Sequence, residues 1–393
     1  MKIISINAGS SSLKFRVFDM KDESVMAKGQ FERIGIEGSF YTIKFNDEVI
    51  KHEVEVSTHE EAVEIMVEKL LSIGIIKNLA EINGVGHRVL HGGEYFSDSV
   101  IINNDVIDKI DELTKFGPLH HPGELAGIRA MQKFFPNAMH VAVFDTSYHQ
   151  TIDEENYLFP VPYKWYSEYG IRKYGFHGTS HRYISEAVKN ILGKDQYKLI
   201  SCHIGNGVSM AAIKDGKCID TTMGFTPLGG VMMGTRSGDI DPSIIPYVME
   251  CEGKNASEVI DDLNRCSGVV GVSGYSSDMR DLVKKCEDGD PKAILARNKY
   301  VRRLVDAISS YYVLLGGADI IALTAGVGEN NKEIRKEIVE KLKPLGIELD
   351  VKENEKRGEF CKISTSKSKV DVYVIPTDEE LLIARDTLKM LNR

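Results

Sequence analysis

The sequence predicts an α/β protein made of two copies of one unit, and three observations predict it. Apolar strand-like segments alternate with amphipathic helical ones along most of the chain. A strand, small-residue turn, strand pattern occurs twice, in KIISINAGSSSLKFRVFD at the start and in KLISCHIGNGVSMAAIKDG from Lys198 to Gly216. Each copy is followed, much further along, by an apolar strand with a polar ending: HVAVFDTSYH closes on Asp145, and IIALTAGVGEN closes on Gly326 to Asn330. Chance similarity between short hairpins is the competing explanation. Two facing copies would frame a cleft lined by four loops, and clefts between domains are favoured ligand sites. At 393 residues the chain also exceeds what one core usually supports. The predicted division is 1–150 and 151–377, with a final helix over about 378–393 packed back on the first unit.

Hydrophobic residues at 42% and charged residues at 27% belong to an ordinary globular chain. A formal charge of -9 provides no basic field for phosphate backbones, so no nucleic-acid partner is expected and any phosphate must be held locally. No apolar run reaches the roughly 18 residues that span a bilayer. The opening MKIISIN lacks a signal-peptide layout, so the expectation is no membrane partner and a cytoplasmic location. Cys202, Cys218, Cys251, Cys266, Cys286 and Cys361 form no C-x-x-C pair and read as scattered reduced thiols.

In the first hairpin, Ile3, Ile4 and Ile6 precede the run Asn7–Ser12, and Leu13, Phe15 and Val17 alternate with Lys14 and Arg16 after it. A hairpin needs only about two turn residues. A longer, small and hydroxylated turn points to an anion cradled by backbone N–H groups, hydroxyls and Lys14, with a flexible polar loop as the alternative. It is not a Walker A loop, because a second glycine is missing and a strand follows rather than a helix. Phosphate held at a hairpin tip is the habit of the actin, heat-shock-chaperone and sugar-kinase superfamily. Next, Thr58-His59-Glu60-Glu61 has capping-box spacing and leads into Ala62, Val63, Met66, Val67, Leu70 and Leu71, an amphipathic helix.

Nine of the eleven histidines lie between His87 and His203, and His87/His91 and His177/His181 have H-x-x-x-H spacing. Zinc on a helix would suit that spacing, but glycines interrupt both segments and the H-E-x-x-H glutamate is missing, so anion contact and hydrogen bonding suit these histidines better. Arg88 and Arg236 stand beside glycines in GHRVLHGG and MGTRSGDIDPS. Either alone reads as a solvated charge; together, two planar forks would hold an acid and a transferring phosphoryl group. Phosphoryl transfer calls for such groups, since its catalysis is mainly positioning and charge neutralisation.

Ala325-Gly326-Val327-Gly328-Glu329-Asn330 follows the strand Ile320 to Thr324 and precedes a helix predicted over Lys332 to Leu342. Glycine there lets a base or phosphate approach the backbone, although a tight structural turn explains it equally. Asp145 at a strand end and Glu379 in Pro376-Thr377-Asp378-Glu379-Glu380 are candidate magnesium carboxylates, magnesium taking one or two of these plus substrate phosphates. Thr377-x-x-Glu380 is also a capping box, and both readings of this segment stay open.

In order and spacing, NAGSSSLKF, GHRVLHGG, PLHHP, VFDTSYH, RKYGFHGTSH, CHIGNG, DTTMGFTPLGG, MGTRSGDIDP, SSDMRDL, TAGVGEN and PTDEEL resemble the acetate kinase family nearly end to end. MGTRSGDIDP resembles the acetate and propionate kinases more than the butyrate kinases. The resemblance implies two duplicated actin-like (ribonuclease H-like) domains flanking a nucleotide cleft, and the reaction ATP + acetate ⇌ ADP + acetyl phosphate. It also implies magnesium, with manganese as a substitute, and a homodimer. By the same resemblance Asn7, Asp145 and Glu379 match metal and phosphate positions, and Ser10, Ser12 and Lys14 match the first phosphate loop. Arg88 and Arg236 match essential arginines, and His120 and His177 match active-site histidines, the latter contacting the phosphoryl group in transit. His203, Asn206 and Gly207 would face the nucleotide phosphates. Asp278, Met279, Arg280, Gly326, Val327, Gly328, Glu329 and Asn330 would surround adenosine.

Leu90, Leu119, Phe176 and Pro227 match the family's apolar pocket for the methyl group. Leu90 stands where valine is common, so acetate is expected over propionate. A carboxylic acid with a pKa of roughly 4 to 5 is already ionised at neutral pH, so no general base is needed, and Asp145 is assigned to the metal. His121 and Glu124 replace asparagines of the family pattern, Gly229 a glutamate, and Asp378 the asparagine before Glu379, which bears on substrate range and metal affinity. A hydroxyl or sugar kinase would need a base and a polar pocket. A chaperone-type ATPase would show nucleotide-dependent association without a small acceptor, and a propionate kinase would share the mechanism.

Overall fold

The computed structural model describes residues 1–393. The chain divides into two units, Met1–Tyr148 with Asp378–Arg393, and His149–Thr377. The first unit is built on eight strands: β1 (Lys2–Ala8), β2 (Ser12–Asp19), β3 (Ser24–Glu32), β4 (Phe40–Phe45), β5 (Glu48–Glu53), β6 (Ile82–Val89), β7 (Val100–Ile101) and β8 (Met139–Phe144). Their order is β5-β4-β3-β2-β1-β6-β8-β7. Strands β1 to β5 form an antiparallel meander, and β1, β6 and β8 run parallel. Parallel neighbours require crossovers, which here carry the helices His59–Ser72, Asn104–Glu112 and His121–Phe134.

Side chains alternate across β6. Val85 joins the core shared with Ala62, Met66, Ala130 and Met131, whereas a Cβ at Gly84 or Gly86 would run into Thr387 or Ile383 of the helix Glu379–Leu391. Helices therefore cover both faces of this sheet, and the two glycines allow the last helix to approach β6 closely.

The second unit repeats the plan with β9 (Lys198–Ile204), β10 (Val208–Lys214), β11 (Lys217–Thr221), β12 (Ile320–Thr324), β13 (Cys361–Lys362) and β14 (Asp371–Val374), ordered β11-β10-β9-β12-β14-β13. Both sheets share a five-strand core in the order third, second, first, fourth, fifth, with the first, fourth and fifth parallel. This is the ribonuclease H-like order of the actin-like fold, the α/β class predicted.

Several local expectations are corrected. The later strands of the repeat were matched one place out of step: HVAVFD forms β8, the fifth core strand, whereas IIALT forms β12, the fourth. Both are short apolar parallel strands, and only sheet pairing distinguishes them. Asn7 and Ala8 pair with Lys14 and Leu13, and Gly9 N donates to Ser12 O at 2.8 Å, so the first turn is only Gly9–Ser11. Ala325–Asn330, read as a turn before the helix at Lys332, is itself a short helix entered through Ala325 at φ +64°. Leu71 is exposed, so the helix His59–Ser72 buries a narrower face than expected. Cys251 and Cys266 are exposed, and the other four cysteines are buried.

Candidate active site

In the first unit the candidate groups gather at the carboxyl ends of the parallel strands. Asn7 and Arg88 lie one residue before the ends of β1 and β6, and Asp145 follows β8. Asp145 N donates to Val89 O at 2.9 Å, which fixes that carboxylate beside the arginine. Arg88 Nε and Nη2 donate to Asp145 Oδ1 and Oδ2 at 3.2 and 2.5 Å, and Nη1 reaches Asn7 Oδ1 at 3.4 Å. Three of five guanidinium N–H groups are thus occupied, leaving two for an incoming anion. Burial opposes the Arg88 charge, but Asp145, Glu124 and Glu379 outweigh it and hold the guanidinium above its ordinary value.

Glu379 opens the helix Glu379–Leu391. Withdrawal from water, reinforced by Asp145 and opposed by Arg88, pushes its carboxyl up to about 7. Two carboxylates sharing one arginine lack a counter-charge, a donor set that fits a divalent cation. No group of three or more His, Cys, Asp or Glu side chains is arranged to hold a metal alone, but magnesium bound partly through substrate phosphates needs only one or two carboxylates. The capping box read from Thr377 and Glu380 does not form. Asp378 caps instead, accepting from Leu381 N at 3.0 Å, and it pairs with Arg16 Nη1 at 3.0 Å, which neutralises its added charge.

The hairpin tip is held from behind. His59 Nε2 lies 2.7 Å from Gly9 O, and a Cβ at Gly123 would come within 2.5 Å of the same oxygen. Ser10 and Lys14 are exposed and Ser12 half-buried. His120 caps the helix His121–Phe134 through its backbone alone. Leu90 is buried against Gly117, whereas Leu119 is 62% exposed. The two departures on the following helix act on Leu90: Glu124 Oε1 accepts from Leu90 N at 3.0 Å, and Glu124 Oε2 lies 3.9 Å from His121 Nε2. His121 Nδ1 is fixed by Ile110 O at 2.9 Å. Burial drives His121 down and Glu124 up to about 8, so both are neutral at pH 7.

In the second unit His177 caps the helix Gly178–Leu192 in a left-handed conformation, φ +56°. Its ring stacks on His203 with centroids 4.1 Å apart, and its Nδ1 lies 2.9 Å from Ser209 Oγ. Asn206 and Gly207 form the turn between β9 and β10. A Cβ at Gly207 would sit 3.4 Å from Arg236 Nη1 and 3.6 Å from His177 Nε2, so both cationic and imidazole groups border the same glycine. Arg236 pairs with no carboxylate. Its Nη1 reaches only Pro227 O at 3.3 Å and Met233 Sδ at 3.8 Å, and burial holds it below its ordinary value. A half-buried cation without an acidic partner is poised for an anionic ligand. Phe176, just before His177, is buried.

A pocket of about 560 Å³ in this unit brings together Asn206, Asp278, Met279, Arg280, Gly326, Val327 and Asn330 with Tyr300, Asn331 and Arg357. Gly207, Gly328, Glu329 and His203 are not part of its lining. Glu329 turns inward, its Oε1 accepting from Ala325 N at 2.8 Å and Thr377 N at 3.1 Å, which makes it a support for the adjacent helix start. Asp278 caps the next helix and grips Arg280, which is otherwise exposed. A larger hollow of about 870 Å³ beside Gly224–Gly230, lined by Phe159, Phe225 and Tyr311, contains none of the phosphate-facing residues.

Some supporting residues escaped the sequence reading. Arg335, in the charged run KEIRKEIVEK, is wholly buried and donates to Gly328 O, Glu329 O, Asn354 O and Lys356 O. Nothing in that run distinguishes it from its solvated neighbours. Ser201, Ser209 and Ser180, which bind imidazoles, look like ordinary strand and helix serines.

Candidate anion-binding groups at the carboxyl ends of parallel strands in each unit, with a pocket of about 560 Å³ in the second, are features that suit the phosphotransferase class. The chain belongs to the acetokinase family, whose model matches residues 2–385. It is 50% identical to the acetate kinase of Bacillus cytotoxicus over 393 residues, covering 100% of this chain and 99% of that one. Among solved structures it is similar to acetate kinase from Porphyromonas gingivalis, 43% identical with a TM-score of 0.95, and to a propionate kinase from Francisella tularensis, 38% identical with a TM-score of 0.94; each comparison covers 99% of both chains. Such full-length relatives support a kinase acting on acetate.

Proposed function

We propose that this chain catalyses ATP + acetate ⇌ ADP + acetyl phosphate by direct in-line displacement, as a magnesium-dependent cytoplasmic homodimer. The observation that carries the reading is Arg236, a half-buried guanidinium without a carboxylate, bordering the same glycine as His177. On the first unit the free Arg88 N–H groups bind the acetate carboxylate, and Leu90, held by Glu124, limits the space for the methyl group. Asn7, Asp145 and Glu379 would hold magnesium, which when bound neutralises charge on the transferring phosphates. Acetate is already ionised, so its oxygen attacks without a general base. On the second unit Asn206 and Gly207 contact the nucleotide phosphates, Asp278–Arg280 and Gly326–Asn330 surround adenosine, and Arg236 with His177 stabilises the phosphoryl group in transit.

Propionate, the acceptor named for one structural relative, is the competing substrate. The test is a hydroxylamine trap for acyl phosphate with ATP and magnesium on acetate, propionate, butyrate and glycerol, with ADP followed in parallel. Hydroxamate yield falling with chain length supports acetate; a higher yield from propionate reassigns the acceptor. No acyl phosphate from any acid, in protein that binds ATP, overturns the assignment.

A further inference from the structure

His177 takes part in a buried chain of hydrogen bonds. His177 Nδ1 lies 2.9 Å from Ser209 Oγ, Ser209 Oγ lies 2.7 Å from His181 Nε2, and His181 Nδ1 lies 2.8 Å from Ser201 Oγ. Ser201, His181 and Ser209 are fully buried, and burial, reinforced by His149 and His203, holds His181 well below its ordinary value and therefore neutral. A neutral imidazole has one N–H and one lone pair, and a serine hydroxyl has a single proton to donate. The chain can therefore run in only two directions.

In one direction Ser201 donates to His181 Nδ1, His181 donates from Nε2 to Ser209, and Ser209 donates to His177 Nδ1. His177 then carries its proton on Nε2. In the other direction His177 donates from Nδ1, every bond reverses, and the chain ends on a Ser201 proton with no acceptor, because His181 is the only hydrogen-bond partner of that hydroxyl. A buried donor left unmade is penalised, so the first direction prevails. A doubly protonated His177 also donates from Nδ1, so the chain again ends on a Ser201 proton with no acceptor.

We propose that Ser201, His181 and Ser209 are positioning residues that set the tautomer of His177, so that it presents a neutral Nε2–H donor to the transferring phosphoryl group. Nε2 is the nitrogen that borders Gly207 together with Arg236, and a lone pair there would repel phosphoryl oxygens. Charged or titratable groups around the relay include Arg236 beside Gly207, His203 stacked on His177, and His149, whose ring lies 5.8 Å from that of His181. The proposal rests on the assignment of His177 as the phosphoryl contact.

The test is nitrogen-15 NMR of histidine-labelled, ligand-free protein at pH 7, with the His177 signals identified by their loss in His177→Gln. The expected wild-type result is an Nε2-protonated His177, in excess over the other tautomer by roughly tenfold or more. In Ser201→Ala, which removes the far end of the chain, comparable amounts of the two tautomers are expected. In Ser209→Ala, kcat should fall while KM for ATP and acetate stays within about twofold. A wild-type His177 protonated on Nδ1 or on both nitrogens, or a tautomer unchanged by Ser201→Ala, overturns the relay. Undiminished kcat in His177→Gln would instead overturn the phosphoryl contact while leaving the tautomer result intact, so the two failures are distinguishable.

Discussion

Arg236→Ala separates catalysis from folding more cleanly than any other substitution in the candidate site. The side chain makes only long contacts, to Pro227 O at 3.3 Å and Met233 Sδ at 3.8 Å, and pairs with no carboxylate. Truncation therefore removes a half-buried charge without stranding an opposite one. The expected stability change is within about 1 kcal/mol, which moves Tm by only a few degrees in a unit of this size. The rate should fall far more: an arginine stabilising a transferring phosphoryl group contributes roughly 10³–10⁵. At about 1.36 kcal/mol per decade, that is about 4–7 kcal/mol of transition-state stabilisation. Arg88→Ala is a poorer probe, because it leaves the fully buried Asp145 carboxylate uncompensated, at a stability cost of roughly 3–5 kcal/mol. The assay is acetyl hydroxamate formation across acetate and ATP concentrations, with thermal unfolding of the same preparation. Arg236→Lys should recover only part of the rate, since it restores charge without the fork. A kcat/KM for Arg236→Ala within about threefold of wild type, at unchanged Tm, would refute the reasoning.

Three further outcomes are expected. Burial raises Glu124 to about 8, so the folded state holds a proton that the unfolded state has released above its ordinary pKa of roughly 4.3. The stability this proton contributes is complete below that ordinary value and is lost as pH rises through about 8. Glu124→Gln keeps an acceptor for Leu90 N without the linkage, so its Tm advantage over wild type should grow with pH across that window; a constant difference sinks the argument. Leu90→Val should raise the propionate-to-acetate ratio of kcat/KM by about tenfold or more, the worth of one methylene of pocket, measured by hydroxamate yield. Gly123→Ala should push the hairpin tip through Gly9 O and cost about 1–3 kcal/mol of overpacking, read as a lower Tm together with impaired ATP turnover.

The legibility of this chain differs from link to link. The hairpins were readable because alternation and small-residue turns are local, and the duplication because two such hairpins recur. The in-step pairing of β8 with β14 and of β6 with β12 was not readable: apolar parallel strands look alike until hydrogen bonds order them. Arg88, Arg236, Asp145 and Glu379 could be singled out by type and neighbours. What each one touches could not, so the docking of Arg88 on Asp145 and the unpaired state of Arg236 emerge only from the fold. Glu329 shows the reverse failure, since a residue in a nucleotide-like run turns inward to support the start of its own helix. Ser201 and Ser209 carry no local signal, because their importance lies in which imidazole they meet across the sheet.

Correct pairing of the repeat also explains why chemistry collects where it does. In the first unit Asn7 and Arg88 near the ends of the first and fourth core strands and Asp145 follows the fifth. In the second, His203 is near the end of the first, Gly326 follows the fourth, and Thr377 follows the fifth, one residue before the segment that delivers Glu379. Ligands of open α/β sheets bind beyond the carboxyl ends of parallel strands, where backbone groups no longer pair within the sheet. Duplication therefore supplied the same three strand ends twice. The first set diverged toward carboxylates and an engaged arginine, suited to a metal and an acid. The second diverged toward glycine and imidazole, bordered by the unpaired Arg236, suited to a nucleotide and its phosphates. Under the proposed reaction the two sets would carry complementary halves of the charge pattern that phosphoryl transfer requires.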